Sequence, residues 1–506
     1  MSVVLAIDAG TTGVRTLGFD QSGTLVDSAY LPLDQNYPHP GWVEHDPMQI
    51  WSHVASTISE VAARQTARGQ TIAAIGVTNQ RETLVAWRTS TGQPVANAIV
   101  WQDRRTSQIC DELREQGHEP FVRERTGLIL DPYFTATKMH WLLSDQGGHA
   151  VEVTDDLVMS TVDAWVAWNL TGGSDGGVLA TDATNAGRTL LYDIRERQWS
   201  AELCDLFGIP QSVLPAVVPS CGRVATVSGD LASTALKGVP LSAMAGDQHA
   251  ALFGQACFKP GMAKVTNGTG SFVLLNHGPE VPDPVSGVLT TVGWDLGSHG
   301  GESPFVYALE GSVFVTGAAV QWLRDGLGII SDSSDMDDLA ASVADTEGVY
   351  IVPAFTGLGS PWWDPHARGA IFGLTRGVGR GHMARAVIES MAFQVRDVIE
   401  AMTDAAGTNR SLRGLRVDGG ASVSDLLLQM QADQLQFPVS RPTTTETTAF
   451  GAASLAGLAE GVWGSLEELS SLWHLESEFA PRMSRGAADA KHQGWVLAVE
   501  RSGHWA

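Results

Sequence analysis

One device occurs twice in this chain. Val4-Leu5-Ala6-Ile7-Asp8-Ala9-Gly10-Thr11-Thr12-Gly13-Val14-Arg15 comes first, and Ala263-Lys264-Val265-Thr266-Asn267-Gly268-Thr269-Gly270-Ser271-Phe272-Val273-Leu274-Leu275 returns to the same pattern far downstream. Each is an apolar β-type run, a Gly-Thr turn and a second β-type run, which reads as a tight hairpin. Glycine lets backbone approach a bulky anion, and threonine hydroxyls with turn amides donate to phosphate oxygens. A single hairpin of this kind says little. Two of them, in separate halves, point to a nucleotide held between two related domains.

The rest of the chain fits an α/β class. Strands are expected at 3–8, 14–20, 24–33 and 72–77. A helix over 47–68 is opened by Asp46 as N-cap and Pro47 in the first turn, with apolar residues at helical spacing (Ile50, Val54, Ile58, Val61, Ala62). The second half is expected to begin in the same way at 244–253, ahead of the hairpin at 263–275. Beyond it the pattern gives helices at 312–327, 381–405, 423–435 and 447–459, a loop-rich stretch at 355–373 and a strand at 415–417. That strand runs into Asp418-Gly419-Gly420-Ala421-Ser422. Alternating strands and helices argue for mixed layers. No low-complexity linker separates the halves, so the division into 1–250 and 251–506 rests on the repeated pattern alone.

Composition narrows the function classes. At 506 residues, with 43% hydrophobic and 17% charged side chains, the chain reads as globular and large enough for several cores. No apolar stretch approaches the roughly 20 residues of a membrane span. The start enters a strand with no basic segment, so no signal peptide and a cytoplasmic location are expected. A formal charge of −24 without any basic run excludes nucleic acid as a partner. Cys110, Cys204, Cys221 and Cys257 are scattered without CxxC spacing, which reads as reduced, inert thiols rather than a zinc site. There is no GxxxxGK[ST], no GxGxxG after a strand and no HRD or DFG set, so a nucleotide would have to use the hairpins and the 418–420 turn.

Several longer motifs carry a resemblance: GWVEHDP at 41–47, AAIGVTNQRET at 73–83, NAIVWQDRRT at 97–106, GLILDPYFTATK at 127–138, AGDQ at 245–248, GTGSF at 268–272, YIVPAFTGLGSPWWDPHARGAIFGLTRG at 350–377 and LRVDGGAS at 415–422. Over essentially its whole length the chain resembles the FGGY carbohydrate kinases, of the actin-like, ribonuclease H-like ATPase superfamily. Within that family it is most similar to the branch acting on glycerol. The resemblance implies two ribonuclease H-like (actin-like ATPase) domains with a cleft between them. It also implies ATP-dependent phosphorylation of glycerol to sn-glycerol 3-phosphate, the entry step of glycerol catabolism, with ATP and Mg²⁺. A homodimer or homotetramer is expected.

The residues can be read beside that resemblance. Asp247 follows an apolar strand; taken alone it is either a helix N-cap or a carboxylate projecting into a cleft. A hydroxyl nucleophile needs a base within hydrogen-bond reach, and the resemblance assigns that task to Asp247. Asp8, ahead of the first turn, is a turn residue or a Mg²⁺ ligand acting through water, with Asp247 the second metal residue. Arg81 and Glu82 give a donor fork and an acceptor for a small triol, or a mere surface pair. Tyr133 could donate to another hydroxyl. The resemblance adds Trp101 and Phe272 over the substrate's carbon face and Gln248 on the polyol. For the nucleotide it implies Thr11, Thr12, Gly13, Arg15 and Thr269 at the terminal phosphates. Gly317 and Gln321 are implied near the phosphates and ribose, and Gly420 and Ser424 at the adenosine.

The chain also departs from the family. Relatives read DQGTTSSR or DQGTTSTR at the first turn, where this chain has DAGTTGVR, so hydroxyls are missing at Gly13 and Val14. His249 stands where Gln is usual, Asn267 replaces an aromatic or small residue, and Ser424 replaces an Asn. The loop at 229–240 lacks the Gly-Thr-Arg element with which some relatives bind a feedback sugar bisphosphate, so insensitivity to fructose bisphosphate is expected. Two other readings stay open: a kinase for another polyol or ketose such as erythritol or xylulose, and a non-catalytic actin-like scaffold.

Overall fold

The computed structural model describes residues 2–145, 150–229, 231, 235–301, 304–406, 412–503 and 505. Two large mixed sheets organise the chain. The first contains β1 (Ser2–Ala9), β2 (Gly13–Asp20), β3 (Leu25–Pro32), β4 (Thr71–Asn79), β5 (Cys221–Thr226) and β6 (Pro240–Gly246), in the order β5-β6-β4-β1-β2-β3. The second contains β7 (Met262–Asn267), β8 (Ser271–Gly278), β9 (Leu289–Asp295), β10 (Phe305–Val313), β11 (Gly414–Asp418), β12 (Val439–Pro442) and β13 (Leu475–Phe479), in the order β9-β10-β8-β7-β11-β12-β13. In each, an antiparallel hairpin (β1–β2, β7–β8) continues through parallel strands (β4 and β6; β11 and β12). The repeat read from the sequence is thus a repeat of topology.

Helix α1 (Pro47–Ala67) covers one face of the first sheet. Asp46 accepts from the Met48 amide as its cap, and Ile50, Val54, Ile58, Val61 and Ala62 bury one stripe against Val3, Leu5 and Ile7 of β1. Burying each such aliphatic side chain contributes about 1.5–3 kcal/mol, which favours this pairing of helix face and sheet face. The other face is covered by α2 (Asp247–Gly254) and by a helix from the distal part of the chain, α5 (Thr447–Ala459). Ahead of it come α3 (Arg380–Ala406) and α4 (Asp425–Leu435), which share a core with Val349, Ile351 and Leu323.

The close approach of α5 depends on glycine. A Cβ on Gly76 of β4 would lie 2.2 Å from Ala452 O, and one on Gly451 would lie 1.8 Å from Ala250 O. Val4, Ala6, Phe253, Trp294, Phe450 and Trp463 form one shared core, so the two halves are joined by apolar packing as well as by polar contacts.

Two expectations need correction. Residues 312–327 do not form one helix: Ser312 and Val313 finish β10 against Ser271 and Phe272. The helix spans only Gly317–Gln321, with a wide π turn over Trp322–Gly326. The cross-strand ladder takes the first residues, and Gly317 must approach the Gly268 carbonyl, where a Cβ would sit 2.5 Å away. Likewise 244–253 does not open the second sheet. Met244 pairs with Val77 in the first sheet, and the helix after it follows from the parallel crossover.

Candidate active site

The site gathers where the parallel strands β1, β4 and β6 end, the position at which an α/β sheet offers backbone and side chains to a ligand. Asp8 lies near the end of β1. Gln80, Arg81 and Glu82 follow β4, and Asp247 follows β6 as the first residue of α2. Glu82 adopts a left-handed backbone (φ +61°), and the Thr83 amide donates back to Arg81 O at 2.7 Å. A non-glycine residue held in this region marks a tight turn whose conformation the surroundings enforce. That turn directs Arg81 and Glu82 inward rather than along the surface.

Around them is a buried set of charges. Arg81 donates through Nη1 to Glu310 Oε2 (2.6 Å) and through Nη2 to Glu310 Oε1 (3.0 Å) and the Tyr133 hydroxyl (3.1 Å). Its Nε lies 3.2 Å from Asp247 Oδ1. Arg188 donates to Glu82 Oε1 at 2.6 Å and to Glu310 Oε1 at 3.0 Å, while its Nη1 is buried with no protein partner. Two cations and two carboxylates balance, which is the condition for keeping charges out of water. Burial alone would raise Glu310, yet Arg188 and Arg81 together hold its carboxyl at about 2. Burial raises the Glu82 carboxyl, against the pull of Arg81 and Arg188.

Asp247 is partly exposed and accepts the Gln248 amide at 2.7 Å. Its carboxyl is shifted upward by burial and by the nearby charge of Asp8, while Arg81, Gln248 and Lys264 oppose the shift. Gln248 bonds Lys264, whose Nζ also donates to Thr266 Oγ1 at 2.7 Å; burial pushes this lysine down to about 8. Trp101 links the aromatic group to the first Gly-Thr turn. Its ring is 5.6 Å from Tyr133 and 6.3 Å from Phe272, and its Nε1 donates to Thr11 Oγ1 at 3.0 Å. Arg81, Glu82, Trp101, Tyr133, Asp247, Gln248 and Phe272 are therefore brought together.

The two Gly-Thr turns are separately built. In the first, the Gly10 amide donates to Gly13 O (3.0 Å) and Thr12 is exposed. Arg15 there bridges Asp8 (2.7 Å) and Glu446 (2.8 Å). In the second, Gly268 N donates to Gly270 O at 2.9 Å, and Thr316, Gly317 and Ala318 amides close onto the Gly268 and Thr269 carbonyls, leaving the Thr269 side chain exposed. Asn267 donates to Ser422 Oγ at 3.1 Å and so ties this turn to the 418–422 turn, where Gly420 has open space at its Cβ position. Gln321 is exposed on its short helix. Ser424 is occupied structurally: its hydroxyl donates to Asp337 (2.7 Å) and caps α4 at the Leu427 amide (3.0 Å).

Sequence reading missed Glu310, Arg188 and Lys264. The signal was a charge set in an otherwise apolar run, as in Tyr307-Ala308-Leu309-Glu310 and Ala263-Lys264-Val265, since such residues are rarely buried unless paired. For a metal, the described residues contain no cluster of three or more His, Cys, Asp or Glu side chains. Asp8 and Asp247 are still a chemically fitting pair for a hydrated dication: both are carboxylates at strand ends, each raised chiefly by burial, with the charge of Asp8 adding to the rise at Asp247.

Comparison with known proteins decides the family. The N-terminal domain of the FGGY family of carbohydrate kinases matches residues 3–254, and its C-terminal domain matches residues 263–460. The chain belongs to the FGGY family of carbohydrate kinases. Among its relatives, this FGGY kinase is 49% identical to glycerol kinase of Aeromonas hydrophila over 504 residues, covering 99% of this chain and 98% of that one. It is 48% identical to glycerol kinase 2 of Thermotoga maritima, covering 100% and 99%. The crystal structure of Plasmodium falciparum glycerol kinase with ADP superposes with a TM-score of 0.90 at 34% identity, covering 99% and 98%. A xylulose kinase from Lactobacillus acidophilus shares the fold, with a TM-score of 0.86 at 21% identity and the same coverage. The fold class is the one expected: two ribonuclease H-like domains of the actin-like type. No helix among the described residues is long and apolar enough to cross a membrane.

Proposed function

We propose that this FGGY kinase transfers the terminal phosphoryl group of ATP to glycerol, giving sn-glycerol 3-phosphate. The observation that carries the reading is the setting of Asp247: its carboxylate stands 3.2 Å from an arginine whose other nitrogens meet Tyr133 and Glu310, Tyr133 in turn packing against Trp101 and Trp101 against Phe272. Donors, acceptors and aromatic faces in this arrangement suit a small molecule made of hydroxyls on a short carbon chain. Full-length relatives near 49% identity bear the name glycerol kinase, which supports the same substrate.

In this reading Arg81 and Glu82 fix two hydroxyls of glycerol, and Tyr133 and Gln248 orient the polyol. Asp247 takes the proton of the terminal hydroxyl as its oxygen attacks the γ-phosphorus in line. Thr11, Thr12, Gly13, Arg15 and Thr269 hold the phosphates from the two turns. Gly317, Gln321, Gly420 and Ser424 lie toward the nucleoside. Asp8 and Asp247 would hold Mg²⁺, which when bound neutralises charge on the phosphates. Closing the halves over the pocket excludes water, which would otherwise hydrolyse ATP. The enzyme is read as cytoplasmic, with 1–250 and 251–506 as its two parts and a homodimer or homotetramer as its assembly.

A coupled ADP-release assay over glycerol, erythritol and xylulose tests the reading. Glycerol should exceed the other two in kcat/KM by well over tenfold. Preference for xylulose or erythritol would replace the substrate; absence of release with every polyol would favour a scaffold. Part of the 229–240 loop, Asp230 and 232–234, lies outside the described residues. The expected insensitivity is checked by adding millimolar fructose bisphosphate, and a several-fold loss of rate would refute it.

A further inference from the structure

The first phosphate turn lacks a side chain at Gly13, and the space is not empty. A Cβ there would lie 2.4 Å from Tyr30 Cε2, 2.7 Å from Tyr30 Cζ and 2.7 Å from the Leu31 carbonyl oxygen. The tip of the tyrosine ring therefore takes the volume in which a residue at 13 would begin its side chain. Its hydroxyl donates to Thr12 O at 3.3 Å, which sets the phenol oxygen at the turn itself.

Strand register gives the second argument. Asp8 is paired with Arg15 across β1 and β2, and Arg15 is paired with Tyr30 across β2 and β3. Residues directly opposite one another in antiparallel strands project from the same face. Asp8, Arg15 and Tyr30 thus form one row, and Gly13 lies on that face two residues from Arg15. Tyr30 is 53% exposed, a large aromatic left in water on an edge strand. Its existing bond to Thr12 O is long. A phosphate oxygen would accept the same proton in a charge-assisted bond of about 2.6 Å, the stronger of the two.

We propose that Tyr30 is a phosphate-binding residue of the nucleotide site, its phenol supplying the hydroxyl that the turn lacks at Gly13. This rests on the reading that the turn at 10–15 receives ATP phosphates. A purely structural tyrosine, covering the edge of the sheet, would need only the ring; a binding tyrosine needs the oxygen.

Tyr30→Phe separates the two, because the ring over Gly13 stays in place. The KM for ATP should rise about tenfold, the scale of one hydrogen bond to a charged group, with the KM for glycerol and the melting temperature as in the unaltered enzyme. An unchanged KM for ATP in Tyr30→Phe overturns the proposal. If the unaltered enzyme shows no polyol-dependent ADP release, the kinase reading fails instead, and calorimetric titration of ATP into Tyr30→Phe still decides Tyr30: equal affinity overturns it, weaker affinity supports it.

Discussion

The residue that should matter most is Asp247, and its position is held by a chain of small contacts. The Gly246 amide donates to Thr184 Oγ1 (2.9 Å), and that hydroxyl donates to Asp182 Oδ1 (2.9 Å). The Asp182 amide in turn donates to Asp163 at 3.3 Å. Asp247→Asn keeps the shape and removes the base, so kcat should fall roughly a thousandfold with little change in melting temperature. A rate within threefold of the unaltered enzyme, by ADP release, would reject the base. Asp163 gives a separate test by pH. Burial, with Asp182 adding to it, raises its carboxyl to about 6 from 3.8. The folded state then binds its proton more tightly than the unfolded chain, so this group adds stability as pH falls from about 6 toward about 4, and adds none above 6. Melting temperatures of the unaltered enzyme and Asp163→Asn should diverge in that window, in favour of the former on acidification; parallel curves would reject the shift. At this scale the sequence showed the strand-end residues Asp8, Arg81, Glu82 and Asp247, because a polar residue closing an apolar run is visible locally. For Glu310 and Arg188 the local signal, a charge in an apolar run, shows only that a buried partner is needed; the partners lie 229 and 106 residues away, and only the folded chain says which they are.

Among elements, the two hairpins differ in a way that the repeated motif hides. In β1–β2 Asp8 pairs with Arg15, whereas in β7–β8 Thr266 pairs with Phe272. The carboxylate of the second half sits one strand over, where Asp418 of β11 accepts Thr266 Oγ1 at 2.5 Å, Gln255 Nε2 at 2.9 Å and Thr447 Oγ1 at 2.5 Å. The second half therefore uses its carboxylate to join β7, α2 and α5, while the first leaves Asp8 beside the Gly-Thr turn. Helix α5 was legible as a small-residue helix over 447–459, but its place on the first sheet was not, since nothing local says which sheet a glycine face will meet. That contact is close enough to test. Gly451→Ala puts a methyl 1.8 Å from Ala250 O, a clash that only backbone movement can relieve. Overpacking of this kind costs about 1–3 kcal/mol or more, so a lowered melting temperature is expected, along with impaired turnover because α2 carries Asp247. Gly461→Ala, with nothing within 4 Å of its Cβ but a left-handed φ of +70°, serves as a control that strains backbone without crowding a helix. Equal melting temperatures for Gly451→Ala and the unaltered enzyme would show that the helices separate freely.

For the whole molecule the decisive contact is the one between Arg81 of the first half and Glu310 of the second. It is bidentate and fully buried, and Glu310 also holds Arg188, which holds Glu82. One glutamate from β10 therefore orients both residues proposed to grip glycerol, and it makes the substrate pocket a product of both sheets rather than of the first alone. Glu310→Gln keeps the size and removes the charge, leaving two arginines facing each other with Glu82 as their remaining buried partner. Breaking a buried pair in this way costs about 3–5 kcal/mol, because the uncompensated charges stay out of water. The variant should melt at a lower temperature, and its KM for glycerol should rise well beyond any change in its KM for ATP, whose phosphates are proposed to lie on the turns. The split between the two KM values is the informative reading: a general loss of packing would weaken both alike. Glu310→Asp, which keeps the charge but shortens its reach, should recover part of the stability without recovering the KM for glycerol. If Glu310→Gln binds glycerol as the unaltered enzyme does, Arg81 and Glu82 are positioned from within the first half, and the second half contributes only its nucleotide turn.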